Sequence, residues 1–181
     1  MISIYALFWL LLVFFALIGA TRGRTKEFIV SLSAVVGIFL NMLLETYLPI
    51  YRDLMETAFP TTLFLARSGI MILVVILGYI TPSIPQIMVR SEEFRPISRL
   101  RNLIWGLAFG GLNGYLIIGS IWYFLDAAHY PFAFMLPPDP SYPAGIAALN
   151  MVNKLPPALL TPPGIYFAIV IAFVIVLGAF I

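Results

Sequence analysis

Cysteine is absent from this 181-residue chain, histidine occurs once, and charged residues make up only 10% of it. Without cysteine the chain forms no disulfide, no thiolate metal site and no iron–sulfur cluster of its own. The single histidine, His129, has no second ligand at the spacing of a metal site or a proton relay. The sequence also lacks paired carboxylates, a Ser–His set and a glycine-rich phosphate loop. We therefore predict no catalytic residues and no metal site, and expect that the protein is not an enzyme.

Hydrophobic residues are far more frequent than charged ones. They make up 62% of the chain, and the mean hydropathy is +1.04, both far outside the globular range. The net charge of +2 comes from short loops and not from a basic patch, so we expect no nucleic-acid binding. The sequence predicts an integral membrane protein without a separate soluble domain, since even a small domain needs about 50 residues.

Five apolar runs are each long enough to cross a hydrocarbon layer of about 30 Å as a helix. They cover residues 2–20, 28–44, 63–89, 102–126 and 164–181. A cleaved signal peptide is the alternative for the first run, but the basic residues follow this run instead of preceding it, which favours a retained anchor. We predict an all-α integral membrane protein, a bundle of five transmembrane helices.

Small residues recur at every fourth position of the fourth run. Gly106, Gly110 and Gly114 fall on one helix face, where a second helix backbone can approach closely. Asn113 points into the same seam, and lipid cannot hydrogen-bond its amide. We predict a helix-packing face with a buried interhelical hydrogen bond.

Two other runs carry similar faces. In the second run the face consists of Ser33, Gly37 and Asn41. In the fifth run it consists of Gly164, Ala168 and Ala172. We predict that the face of the second run packs on the glycine face of the fourth. The alternative for Asn41 and Asn113 is that each amide bonds a carbonyl of its own or a neighbouring helix and has no functional role.

A basic turn joins the first two runs and contains Arg22, Gly23, Arg24, Lys26 and Glu27. Gly23 permits a sharp turn, and Glu27 complements the positive dipole end of the next helix. The turn either only orients two helices or also docks a partner or lipid phosphates.

Arg67 is the one ionisable residue predicted within the hydrocarbon layer. It lies near the start of the third run, so its long side chain can snorkel to the interface. Pairing with Glu45 or Asp126 is the alternative.

Prolines indicate where helices are interrupted. Pro49 and Pro60 predict a loop over 46–62. Pro82 and Pro85 predict a kink or an end of the third helix near residue 80. The arginine-rich stretch 90–101 then forms a solvated loop or a short interfacial helix. Nine prolines between residues 131 and 163 predict an extended cover with one short helix over 144–152. The predicted division of the chain is a four-helix membrane domain over 1–126, a proline-rich loop over 127–163 and a C-terminal helix over 164–181.

The distribution of basic residues predicts the orientation. The first and third connections carry seven of the ten lysines and arginines, which places them in the cytoplasm under the positive-inside rule. The N-terminus and the proline-rich loop are then outside.

Two motifs resemble the CvpA family, the colicin V production proteins of bacterial inner membranes. That family shows Arg-Gly-x-x-basic-Glu between two apolar helices, then Gly-x-x-x-Gly and an apolar run that ends in Asp. The matching residues are Arg22, Gly23, Lys26, Glu27, Gly106, Gly110, Gly114 and Asp126. Asn113 stands where the family usually has arginine. The resemblance covers residues 1–126 and implies a small multi-spanning protein tied to colicin export and envelope functions, without established catalytic residues.

These observations favour a scaffold or accessory subunit of a larger membrane assembly. The partners we expect are membrane lipids and other membrane protein subunits. A small transporter or channel component, linked to toxin export or envelope homeostasis, is the alternative; Arg67, Asn41 and Asn113 are its only indications. The cofactor stays unknown, since a bound lipid, quinone or pigment needs no motif. We expect a multi-pass protein of the bacterial inner membrane.

Overall fold

The computed structural model describes residues 3–81 and 96–180, with the side chains of 3–81 and 99–174. All regular structure in these ranges is helical, which confirms the predicted all-α class. The helices are α1 (Ile4–Arg22), α2 (Arg24–Tyr47), α3 (Pro49–Thr57), α4 (Pro60–Ile80), α5 (Pro96–Ala127), α6 (Pro143–Val152), α7 (Pro156–Leu159) and α8 (Gly164–Phe180).

Four of the described helices, α1, α2, α4 and α5, are long and apolar enough to cross a membrane. They correspond to the first four predicted runs. α8 is also apolar, but it has 17 residues. A fifth crossing and an outside N-terminus stay predictions.

Several helices start at prolines that the sequence suggested as breakers. Pro49 begins α3 and Pro60 begins α4, because the first position of a helix needs no backbone N–H and suits the fixed φ of proline. The stretch 46–62, predicted as a loop, therefore contains the short helix α3. Residues 96–101 form the first turns of α5, not a separate loop. The predicted break at Pro82 and Pro85 lies outside the described residues.

α5 is the central helix of the bundle. It packs most extensively on α1 and also on α2 and α4, while α2 packs on α4, α5 and α8. One core cluster joins Val30 of α2, Met71 of α4, Leu116 of α5 and Ile165 of α8. In a membrane such contacts stabilise through close packing, since lipid tails are as apolar as the side chains.

The glycine face of α5 packs on α1 and not on α2, so the predicted pairing is wrong. A Cβ added to Gly110 would lie 2.5 Å from the Phe15 carbonyl oxygen and 2.8 Å from the Cα of Gly19. A Cβ on Gly106 would meet the carbonyl oxygen of Gly19, and one on Gly114 would lie 2.9 Å from Phe15 Cβ. The close approach depends on Gly19, which lies outside the faces recognised in the sequence.

The small-residue face of α2 packs on α4. A Cβ on Gly37 would lie 2.7 Å from the sulfur of Met71, and Ser33 occupies the space beside Gly78. Asn41 donates to the Arg67 main-chain oxygen at 3.3 Å. Both predicted faces are therefore used, but with other partners, because a sequence shows that a face is small and not which helix fits it.

The face predicted on α8 is only partly buried. Ala172 is buried and Ala168 half-buried, whereas Gly164 is exposed. A Cβ on Gly164 would meet no described atom within 4 Å. Gly164 is therefore not a packing residue in the described structure.

The proline-rich segment folds back on one end of the bundle. α6 covers the predicted short helix 144–152 and contacts α1 and α5. A second core cluster joins Phe8, Trp122, Ala148 and Leu155. The segment is thus attached to the bundle by apolar packing.

Candidate functional site

A single residue, Gly23, separates α1 from α2. Its φ of 84° lies in the region that favours glycine. A Cβ there would lie 2.6 Å from the side-chain nitrogen of Asn102. The sharp turn brings the first turn of α2 beside the last residue of α1, Arg22. Gly23 is therefore required both for its conformation and for its small size.

Glu27 is the centre of a buried polar group at this turn, the turn cluster, which consists of Arg22, Glu27, Ser31, Tyr79 and Asn113. The side chain of Glu27 is 0% exposed. Its Oε1 lies 3.0 Å from Nη1 of Arg22, although the two atoms are not aligned for a hydrogen bond. The contact is therefore an ion pair. A buried carboxylate without this cation would be strongly destabilising.

Asn113 supplies the hydrogen bonds that Glu27 needs. Its Nδ2 donates to Oε2 of Glu27 at 2.8 Å and to the Glu27 main-chain oxygen at 2.9 Å. Its Oδ1 accepts from the Ser31 hydroxyl at 2.6 Å. Asn113 is itself fully buried. This amide therefore uses both its donors and its acceptor to link α5 to α2.

Arg22 connects the turn cluster to α4. Its guanidinium carbon lies 4.3 Å from the centre of the Tyr79 ring, a cation–π arrangement. Its Nη2 donates to the main-chain oxygen of Tyr79 at 3.4 Å. All four long apolar helices consequently meet at this one cluster.

Asn102 is a site residue that the sequence reasoning missed. Its Oδ1 accepts from the backbone N–H of Arg24 at 2.9 Å, which satisfies one of the free donors at the start of α2. Its own position, an asparagine at the edge of an apolar run, was the available signal. The side chain of Arg24 is exposed and that of Lys26 half-buried, and neither contributes to the turn cluster in the described structure.

A second polar group, the cleft cluster, lies at the opposite end of the bundle and consists of Asn41, Glu45, Tyr51 and Arg67. Nε of Arg67 donates to Oε1 of Glu45 at 2.6 Å. The structure therefore pairs Arg67 with Glu45, the alternative to snorkelling. Arg67 is the eighth residue of α4, about 10 Å along the helix, so this pair lies within the apolar helix region.

Two members of the cleft cluster have buried atoms without a partner. Asn41 donates to the Gly37 main-chain oxygen at 3.0 Å as well as to Arg67. Its Oδ1 and the Tyr51 hydroxyl, however, find no hydrogen bond among the described residues. Burial, and next the charge of Glu45, raise the pKa of Tyr51. Unpartnered buried groups are rare in native structures, since each costs free energy.

The cleft beside this cluster has a volume of about 470 Å³. It is lined by α2, α4, the end of α5 and the segment before α8. Its polar wall includes Asn41, Glu45 and Arg67, and its apolar wall includes Ile38 and Phe124. The cleft thus combines a charged pair with an apolar surface.

A third polar contact closes the end of α5. The indole N–H of Trp122 donates to the Tyr130 hydroxyl at 3.1 Å, which donates to Oδ1 of Asp126 at 3.1 Å. Burial raises the pKa of Tyr130 to about 12. His129 is exposed beside this group. Among the described residues no group of three His, Cys, Asp or Glu side chains is arranged to hold a metal ion.

Comparison with known families gives one match. The model of the family described as Colicin V production protein matches residues 5–135. No curated protein and no solved structure matched the chain. The matched range contains both polar clusters and ends before α6.

Proposed function

Since the chain belongs to the colicin V production protein family, we propose that it is a non-enzymatic scaffold or accessory subunit of a larger assembly in the bacterial inner membrane. The observation that carries this proposal is the turn cluster. Its buried polar side chains are bound to one another and connect four helices. Such groups position helices and are not free to bind or convert a substrate.

A partner subunit needs a surface, and the glycine face of α5 is not available because α1 covers it. The outward side of α4 is the better candidate. It exposes Leu65, Ile72, Leu73 and Ile76, and a Cβ on Gly69 would meet no described atom within 4 Å. A second helix backbone can approach closely there.

The test uses the absence of native cysteine. Gly69→Cys on the outward side of α4 would carry a photocrosslinker in native membranes, and Ala34→Cys, at a fully buried position, would show the background from a thiol that the reagent does not reach. After mild-detergent purification, we expect a protein partner by mass spectrometry from Gly69→Cys and none from Ala34→Cys. An absorption spectrum of the same eluate reveals any bound quinone or pigment. A lone monomer without crosslinks from either position would contradict the proposal.

A small transporter or channel component, linked to toxin export or envelope homeostasis, is the second candidate. One observation favours it, the unpartnered Oδ1 of Asn41 beside the Arg67–Glu45 pair, since transport pathways often contain such groups within the membrane. Asn113 no longer supports it, because its amide is fully engaged. Reconstituted vesicles in which solute flux is lost on Asn41→Leu would favour this function, and unchanged flux would exclude that pathway.

A further inference from the structure

We propose that the cleft beside Arg67 binds one phospholipid whose zwitterionic head group combines a phosphate with an N–H donor, as in phosphatidylethanolamine. The proposal holds whether or not the chain is a subunit of a larger assembly. It rests on the chemistry of three side chains, Arg67, Glu45 and Asn41, and on the apolar wall that continues from them.

Arg67 provides the phosphate site. Glu45 engages only its Nε, and the two Nη groups have no partner among the described residues. The side chain is 18% exposed, so these groups are accessible to a ligand. A planar guanidinium with two adjacent free donors suits the oxygens of a phosphate.

Glu45 and Asn41 provide the site for the N–H donor of the lipid head group. Glu45 neutralises Arg67, so the cleft favours a head group without net charge over a multiply charged anion. Asn41 presents an acceptor, Oδ1, that is buried and unpartnered. Its amide hydrogens are already bound to the main-chain oxygens of Gly37 and Arg67, so only a ligand donor or a water satisfies the group. An ammonium head group offers that donor, whereas a trimethylated choline has none.

The apolar wall accounts for the rest of the ligand. Ile38, Met42, Phe124 and Leu160 line the cleft next to the polar residues. This arrangement matches an amphiphile, with its head at the charged pair and an acyl chain along α2 and α5. Free inorganic phosphate would use only the polar half.

The test measures binding of phosphatidylethanolamine and phosphatidylcholine with identical acyl chains to the delipidated 181-residue chain, by native mass spectrometry from detergent. We expect wild type to prefer phosphatidylethanolamine by about tenfold, the effect of one hydrogen bond to a charged donor. Equal binding of the two lipids to wild type would overturn the proposal, without recourse to any variant.

Three variants assign the effect to the cleft. Arg67→Gln should weaken both lipids by about tenfold or more, and Asn41→Leu should remove the preference between them. Arg52→Gln is the matched control, because it removes the same charge from the neighbouring exposed helix α3, and it should bind as wild type does. Unchanged lipid binding by Arg67→Gln, or displacement of the lipid by inorganic phosphate alone, would overturn the assignment.

Discussion

The two ends of the bundle treat buried polar groups in opposite ways. In the turn cluster Glu27 is ion-paired and hydrogen-bonded, and Asn113 uses its whole amide. The two buried atoms there without a hydrogen bond among the described residues, Nη1 of Arg22 and Oε1 of Glu27, are each other's ion-pair partners. In the cleft cluster Asn41 and Tyr51 each keep a buried oxygen without a partner. A satisfied cluster locks helices together, whereas an unsatisfied cluster beside a cleft is open to a ligand. This difference distinguishes the turn cluster, which connects helices, from the cleft cluster, which we propose to bind a lipid.

Accessibility of the two ends to a reagent outside the cell tests their assignment to opposite sides of the membrane. Thr25→Cys marks the exposed first turn of α2, and Glu56→Cys marks the exposed helix α3. Because basic residues stay in the cytoplasm, we expect an impermeant maleimide to label Glu56→Cys in intact cells. Thr25→Cys should react only after permeabilisation, and the reverse pattern would invert the predicted orientation.

Matched amide substitutions compare the contributions of the two ends to stability. Asn113→Leu removes the side-chain hydrogen bond to the buried Glu27 carboxylate and a second one to the Glu27 main-chain oxygen. We expect a loss of about 3 kcal/mol in the free energy of unfolding. Asn41→Leu removes two bonds to main-chain oxygens but also an unpartnered acceptor, and we expect a loss of about 1 kcal/mol. Unfolding titrations in mixed micelles measure both. Equal losses would show that the two clusters do not differ as described.

Matched glycine substitutions separate an inner helix contact from an outer surface. Gly110→Ala places a methyl group 2.5 Å from a main-chain oxygen of α1, and we expect a loss of about 2 kcal/mol. Gly69→Ala enters open space, and the higher helix propensity of alanine should stabilise the chain by up to about 1 kcal/mol. The same titrations measure the opposite signs. A stabilising Gly110→Ala would contradict the close contact of α1 with α5.

The smallest effect concerns the pH dependence of stability near the cleft end. Burial raises the pKa of Tyr130 from 10.0 to about 12, so ionisation is less favourable in the folded chain. This contribution to stability is complete below pH 10 and is lost as the pH rises towards about 12. Tyr130→Phe should lose part of the decline in melting temperature over that window. An unchanged decline would indicate that other groups control it.

Patterns within single segments of the sequence were sufficient to predict the class of the protein. Hydrophobic runs without charge predict membrane helices because each helix must satisfy its backbone hydrogen bonds within itself. Four of the runs form the long apolar helices α1, α2, α4 and α5, and the short helix over 144–152 is present as α6. The short helix α3 was missed inside the predicted loop 46–62, because a proline can start a helix as well as break one.

The sequence did not show which helix faces and side chains contact each other. Gly106 and Gly110 mark a small face, but only the structure shows that Gly19 of α1 meets it. Arg67 likewise offered two partners and a snorkelling position, and the register of α2 against α4 selects Glu45. Composition and periodicity are properties of one segment at a time, so they determined a helical membrane protein with small-residue faces. Which faces interlock depends on the shapes of several helices together. The tertiary structure alone decided that Glu27 would be ion-paired to Arg22 and hydrogen-bonded by Asn113, and that Asn41 would keep an acceptor without a partner in the described structure.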